Sequence, residues 1–344
     1  MQQNPNMILS ILYRKVVCLL LIILPLATLA CPEYSYPPTS GHDNYTLARR
    51  WYHINDDAVR QYWPGRTIRF CFAPGAEVLR PNVRLAWNMW IAAGVDSRTF
   101  TFKEGSASYC RNAANRANFL MIQLNNNQNV HTSLGKTLAG AQTGVPGPVM
   151  SIDRTALNAA GWITEASAIA HEIGHAWGLE HEHQRPDLWS SDYVGGTAGP
   201  GQAQIGFNCQ NLRRYQDLAS SRTPAETAAI CHSAQLSQRE GFVGMSYLPV
   251  WSTSLRGYRR GPVVDYQSIM MYPGQAGAVP NTAVLTDANG AALPVNSIPS
   301  PLDVEGLNDM YADEAPYPNP CFLFQPCNAF GAAFQACLTC GTRH

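Results

Sequence analysis

The sequence predicts an α+β domain in which strands and helices exchange along the first half and loop-rich chain dominates the second. Three observations predict it. Thr67–Phe72 alternates along its length as a half-buried strand does. Two longer stretches, Val78–Ala93 and Ile163–Leu179, repeat apolar residues at helical spacing. Charged residues make up only 14% of the chain, while Gly, Pro, Asn, Ser and Thr fill long intervals, which suits irregular connections and not a helical bundle.

Taken in order, residues 1–30 read as a secretory signal peptide. Arg14 and Lys15 form a basic start, Val16–Leu29 an apolar run, and the small residues Ala27, Thr28 and Ala30 place a cut before Cys31. A bilayer span needs about 20 apolar residues, so the expectation is a secreted, extracellular product with no membrane attachment after cleavage. Residues 31–50 are rich in Pro, Ser, Gly and Tyr and read as a short pro-segment or leader, as in a zymogen. Asn44-Tyr45-Thr46 is a glycosylation acceptor. Arg49-Arg50 is either a maturation cut or two solvated arginines.

Trp63-Pro64-Gly65 is a turn that leads into the Thr67–Phe72 strand. The Val78–Ala93 helix has Val83, Leu85, Trp87, Met89, Trp90 and Ile91 among its apolar positions, with Pro81 near its start, where proline is tolerated. Thr99–Phe102, Phe119–Leu124 and Val149–Ile152 are further strand candidates, with an edge strand around Thr132–Lys136. A peptide could add to an exposed edge somewhere in residues 131–153. The second half is expected to hold little regular structure.

The formal net charge is zero, with 24 basic and 24 acidic residues, so nothing points to a nucleic acid or an anionic membrane as partner. Of ten cysteines, Cys18 leaves with the signal and nine remain. Export makes disulfides the default. Cys71–Cys110 and Cys209–Cys231 are the pairings favoured by closeness within each half; spacing alone leaves other pairings open, and Cys31 is the expected odd one. Residues 317–344 hold Cys321, Cys327, Cys337 and Cys340 among Phe322, Phe324, Phe330 and Phe334, a Cys-rich tail that either clamps the C-terminus or forms a small interaction cap.

Chemistry concentrates in the second helix. His171-Glu172-Ile173-Gly174-His175 puts two imidazoles four residues apart, one above the other on a helix face. Glu172 falls beside them, placed to act on a water without being a ligand. Gly178 is suited to end the helix in a left-handed conformation and swing the chain back to present His181. Three imidazoles and an open position form the ligand set of a catalytic Zn(2+) site, whereas structural sites are usually closed by cysteines. A zinc-binding but non-catalytic module is the alternative, and an intact Glu172 speaks against it.

Residues 171–187, His-Glu-Ile-Gly-His-Ala-Trp-Gly-Leu-Glu-His-Glu-His-Gln-Arg-Pro-Asp, resemble the zinc helix of the astacin family within the metzincin clan. Glu182 after the third histidine, followed by Arg185 and Asp187, carries the likeness to astacins in particular. Asp265-Tyr266-Gln267-Ser268-Ile269-Met270-Met271-Tyr272 resembles the family's Met-turn, Trp63–Ile68 the start of its first strand, and Ser300–Tyr311, with Asp303, Asn308 and Tyr311, its closing helix. Met271 stands where the family usually carries His, and Leu188 breaks its Asp-Arg-Asp run.

The resemblance implies a metzincin-like α+β fold. Its N-terminal subdomain would carry a twisted mixed sheet and two long helices. An active-site cleft would separate it from an irregular C-terminal subdomain with the Met-turn and closing helix. The catalytic domain would span residues 51–316. It also implies a monomeric zinc metalloendopeptidase acting on protein or peptide substrates, with one zinc held by His171, His175 and His181. Glu172 would be the base, Tyr272 a swinging ligand and oxyanion stabiliser, Met270 a packing support, and Glu182 the receiver of the mature N-terminus.

Overall fold

A computed structural model describes residues 54, 60–127, 130–137, 147–159, 162–190, 192–193, 203–250 and 264–312. The expected signal peptide, the leader with Asn44 and Arg49-Arg50, and the Cys-rich tail lie outside them.

Strands β1 (Arg60–Gln61) and β2 (Thr67–Phe72) lead into helix α1 (Arg80–Ala92), strand β3 (Thr101–Glu104), helix α2 (Ala107–Arg111) and strand β4 (Leu120–Leu124). Strands β5 (His131–Thr132), β6 (Lys136–Thr137) and β7 (Val149–Ile152) follow, then helices α3 (Ala156–Ala159) and α4 (Glu165–Trp177). Five of the strands form one mixed sheet in the order β3-β2-β4-β7-β5. Neighbours are parallel from Thr67↔Thr101 through Phe70↔Leu120 to Met121↔Val149; β5 alone runs antiparallel, with His131 opposite Ser151. β1 and β6 pair separately, Gln61 opposite Lys136.

The two-residue period of a strand sorts side chains between the faces of this sheet. Ile68, Phe70, Phe72, Leu120, Ile122, Met150 and Ile152 point to the face covered by α1 and α4, where they build the first core. Trp90 on α1 donates its indole N–H to Ala170 O on α4 at 2.9 Å, which fixes one helix against the other. On the opposite face Cys71 joins Cys110 of α2, with Phe119 alongside.

A second core gathers residues 188–293 around the antiparallel pair β8 (Ile205–Phe207) and β9 (Leu285–Asp287). Helices α5 (Tyr215–Ala219), α6 (Pro224–His232) and α7 (Ala234–Arg239) lie between these strands in sequence, and Cys209–Cys231 closes the loop at the base of α6. Both bridges match the pairings favoured by closeness; closing loops of this length stabilises by about 3–4 kcal/mol each in the chain-entropy picture. The last helix, α8 (Pro301–Met310), returns to the first core through Val304, Leu307 and Met310. Tyr311 then takes the backbone N–H of Trp63 at 3.1 Å and donates its hydroxyl proton to Trp177 O at 3.0 Å, so the closing helix locks the end of α4.

Several expectations need correction. Among the described residues the second half holds more regular structure than expected, with α5, α6, α7 and a two-stranded sheet besides the closing helix; α6 is capped by a Thr223/Glu226 box after which Pro224 opens the helix, a start signal that was present in the sequence. The third strand begins at Thr101, since Asp96 binds the backbone N–H of Arg98 and its carbonyl takes those of Thr99 and Phe100, holding that segment as a turn. The single edge strand expected at Thr132–Lys136 is two strands, β5 and β6, in different sheets. Ile163 lies before the cap of α4 and is 64% exposed, and Leu85 on α1 also faces solvent.

No helix among the described residues is long and apolar enough to cross a membrane.

Candidate metal centre

The centre is built on α4. Thr164 and Ser167 cap its start reciprocally, each hydroxyl oxygen accepting the other's backbone N–H at 3.0 and 3.1 Å. Gly178 ends it at φ +113°, a conformation open to glycine, and the N–H groups of Gly178 and Leu179 close back on the last turn. The reversal carries the chain to His181. His171, His175 and His181 each present one ring nitrogen, and the three lie within 4.8 Å of one another.

Their outer nitrogens are all engaged. His171 Nδ1 meets Ile269 O, His175 Nδ1 meets Leu179 O, and His181 Nδ1 meets Gln184 Oε1, each at 2.7 Å. The Gln184 amide is oriented by its Nε2, which donates to Leu248 O at 3.0 Å and Met245 O at 3.3 Å. Each acceptor takes a proton and has none to give, so each imidazole carries its proton on Nδ1 and turns a bare Nε2 inward. Burial pushes His175 down to about 4 and His171 and His181 well below their ordinary value, so all three are neutral at pH 7.

Nε2 of His181 stands 3.0 Å from that of His175 and 3.3 Å from that of His171. Lone pairs facing each other at this distance repel unless a cation lies among them. The donor set therefore fits a metal ion, and neutral imidazoles held by outer hydrogen bonds are the usual ligands of zinc.

Residues 265–272 support the centre from below. Asp303 on α8 accepts from Ser268 Oγ at 2.6 Å and from the Ile269 N–H at 2.8 Å, and this holds the Ile269 carbonyl against His171. Burial pushes Asp303 up to about 6. Met270 is buried against Gly174, between the two helix histidines, while Met271 belongs to the second core. Glu182 Oε1 accepts from Arg185 Nη1 and from the Asp265 N–H, and Arg185 also pairs with Asp187 at 3.0 Å.

Glu172 and His171 open into a cavity of about 410 Å³ whose other walls include Val130, Trp162, Arg213 and Tyr272. Glu172 Oε2 and Thr132 Oγ1 on β5 are both buried with no partner in close hydrogen-bond geometry, yet the Thr132 hydroxyl lies near enough to the Glu172 carboxyl to favour its ionised form against burial. Burial pushes the Glu172 carboxyl up to about 7; a cation beside it would draw that value down and keep the carboxylate ionised. The Tyr272 ring lies 4.4 Å from that of His181, with its phenol pushed well upward by burial.

All the site residues read from the sequence thus come together: three histidines at one point, with Glu172 and Tyr272 at one cavity. Sequence reasoning missed His183 and Gln184. His183 accepts the Tyr272 N–H at 3.4 Å and donates to Ser246 O at 3.1 Å, and its ring lies 4.5 Å from that of Tyr272. Their only signal was membership of the quoted His181–Asp187 run.

No family model matches the chain, and no curated protein matches it either. Among solved structures it is similar to high choriolytic enzyme 1, a hatching-enzyme zinc protease of the medaka fish Oryzias latipes, at 14% identity and a TM-score of 0.43, over 76% of this chain and 98% of that one. It is also similar to myroilysin at 17% identity and a TM-score of 0.41, over 73% of this chain and 95% of the other. Likenesses at this level decide neither fold nor activity.

Proposed function

We propose that the chain is a secreted, astacin-like zinc metalloendopeptidase that hydrolyses peptide bonds in proteins. The carrying observation is the convergence of three unprotonated imidazole nitrogens beside a buried carboxylate that opens into a cavity. His171, His175 and His181 would hold the ion, and residues 265–272 would serve as the Met-turn beneath it.

Zinc, when bound, supplies Lewis acidity that acidifies water and polarises a carbonyl. Glu172 takes a proton from the attacking water and passes it to the leaving amine. The Tyr272 hydroxyl donates to the oxygen on which charge develops. The edge of β5 aligns an extended peptide beside Glu172, with Thr132 Oγ1 as a further polar atom. Two disulfides suit an oxidising compartment and agree with export through residues 1–30.

Digestion of casein by the purified chain, with zinc quantified in parallel, tests this reading. One zinc per chain and digestion abolished by a chelator are expected; zinc-loaded protein that cleaves nothing would leave a metal-binding module without catalysis.

A further inference from the structure

Part of the wall of the cavity that holds Glu172 is not used by the chemistry: Val130, Ala156 and Trp162 line it, with Thr155 next to Ala156. Trp162 rests partly on the first core, and its ring centroid lies 4.8 Å from that of His171. Only part of the indole is used by that packing, and Trp162 lies outside α4, two residues before its Thr164 cap. Next to it in sequence Ile163 stands 64% exposed. Apolar surface left facing a groove marks a place where apolar ligand groups are received.

The wall is continuous with the reacting centre. Val130 directly precedes β5, the edge strand of the sheet, and an extended peptide added to that edge turns alternate side chains to one side. Ala156, which lines the same cavity as Trp162, contributes only a methyl group to it.

We infer that Trp162, Val130 and Ala156 form a specificity subsite that takes an apolar side chain of the substrate, aliphatic or aromatic, next to the bond cleaved beside His171. The inference rests on the peptidase reading. Trp162 is a specificity-determining residue, not a catalytic one: it touches the substrate side chain and a ligand ring.

The test uses full-length zinc-loaded protein and peptides that differ at a single residue beside the cleaved bond, carrying Leu, Ala or Asp. The parent should favour Leu over Ala by about tenfold or more in kcat/KM at one of the two flanking positions. Trp162→Ala should bring that ratio close to one, mainly through KM, while Trp162→Phe keeps it. Ala156→Leu should fill the subsite and reverse the preference toward Ala, which decides the matter even where Trp162→Ala loses its fold or its zinc. A parent that cleaves all peptides alike, or a preference unchanged in Ala156→Leu, overturns the subsite. Failure of the zinc-loaded parent to cleave any peptide or protein overturns the peptidase reading itself.

Discussion

Met270 Sδ occupies the space that a Cβ on Gly174 would fill. The glycine leaves a notch in α4 between His171 and His175, and the methionine seats in it; Met270 Cε and Trp90 Cζ2 also stand 3.2 Å from the same point. Gly174→Ala should therefore lose about 1–3 kcal/mol by overpacking, against the gain alanine normally brings to a helix. Chemical denaturation of metal-free protein measures it. Met270→Ala in the same chain should show coupling of about 1 kcal/mol or more with Gly174→Ala; strictly additive losses would mean that the notch and the methionine are independent.

Gln184 orients His181 and is itself held by two backbone carbonyls. Gln184→Leu should leave the His181 Nδ1–H and both carbonyls unpaired. Zinc affinity should fall about 10- to 100-fold with the fold retained, as measured by competition with a chelator. An unchanged affinity would show that His181 needs no such support.

Glu172→Ala should keep stoichiometric zinc and lose on the order of 100- to 10,000-fold in turnover. Unchanged turnover would remove the carboxylate from the reaction. Tyr272→Phe should lower kcat more than it raises KM, and a wild-type rate would exclude the phenol from stabilising the oxyanion.

Asp303 is a buried acid whose value rises from 3.8 to about 6 on folding, chiefly through desolvation. The folded state then holds its proton more tightly than the unfolded state does, so this group makes stability decrease as pH rises from about 4 to about 6, with no further change above. Metal-free Asp303→Asn should lack that slope. Parallel slopes in the two proteins, from denaturant titrations across this range, would refute the assignment.

Much of the centre was legible because it is local. Four-residue spacing on a helix and a glycine stop are covalent neighbours, and the three histidines follow from them. The supports are distant: Ile269 lies 98 residues from His171, and Asp303 a further 34 from Ile269. No periodicity encodes such contacts, and the resemblance to a Met-turn and a closing helix marked these segments without saying what they hold. The β2 and β7 boundaries were readable because alternation and a short apolar run end at turn residues. The Thr99–Phe102 boundary failed because an Asp96 side chain outweighed local strand preference. The α5–α7 helices were missed because they are short and, in α6, nearly without an apolar stripe, so their packing onto the second core decides them.

Segment 243–248, which lines the cavity at Val243, Ser246 and Tyr247, meets the side chains around the histidine cluster through its main chain: Met245, Ser246 and Leu248 offer carbonyl oxygens to Gln184 and His183. Any amino acid provides that atom. Val243 and Met245, whose side chains stand partly in solvent, are therefore open to replacement without loosening the hydrogen bonds around the three histidines. Under the peptidase reading, side chains along this segment can alter what the cavity accepts while the carbonyls that hold Gln184 and His183 stay in place.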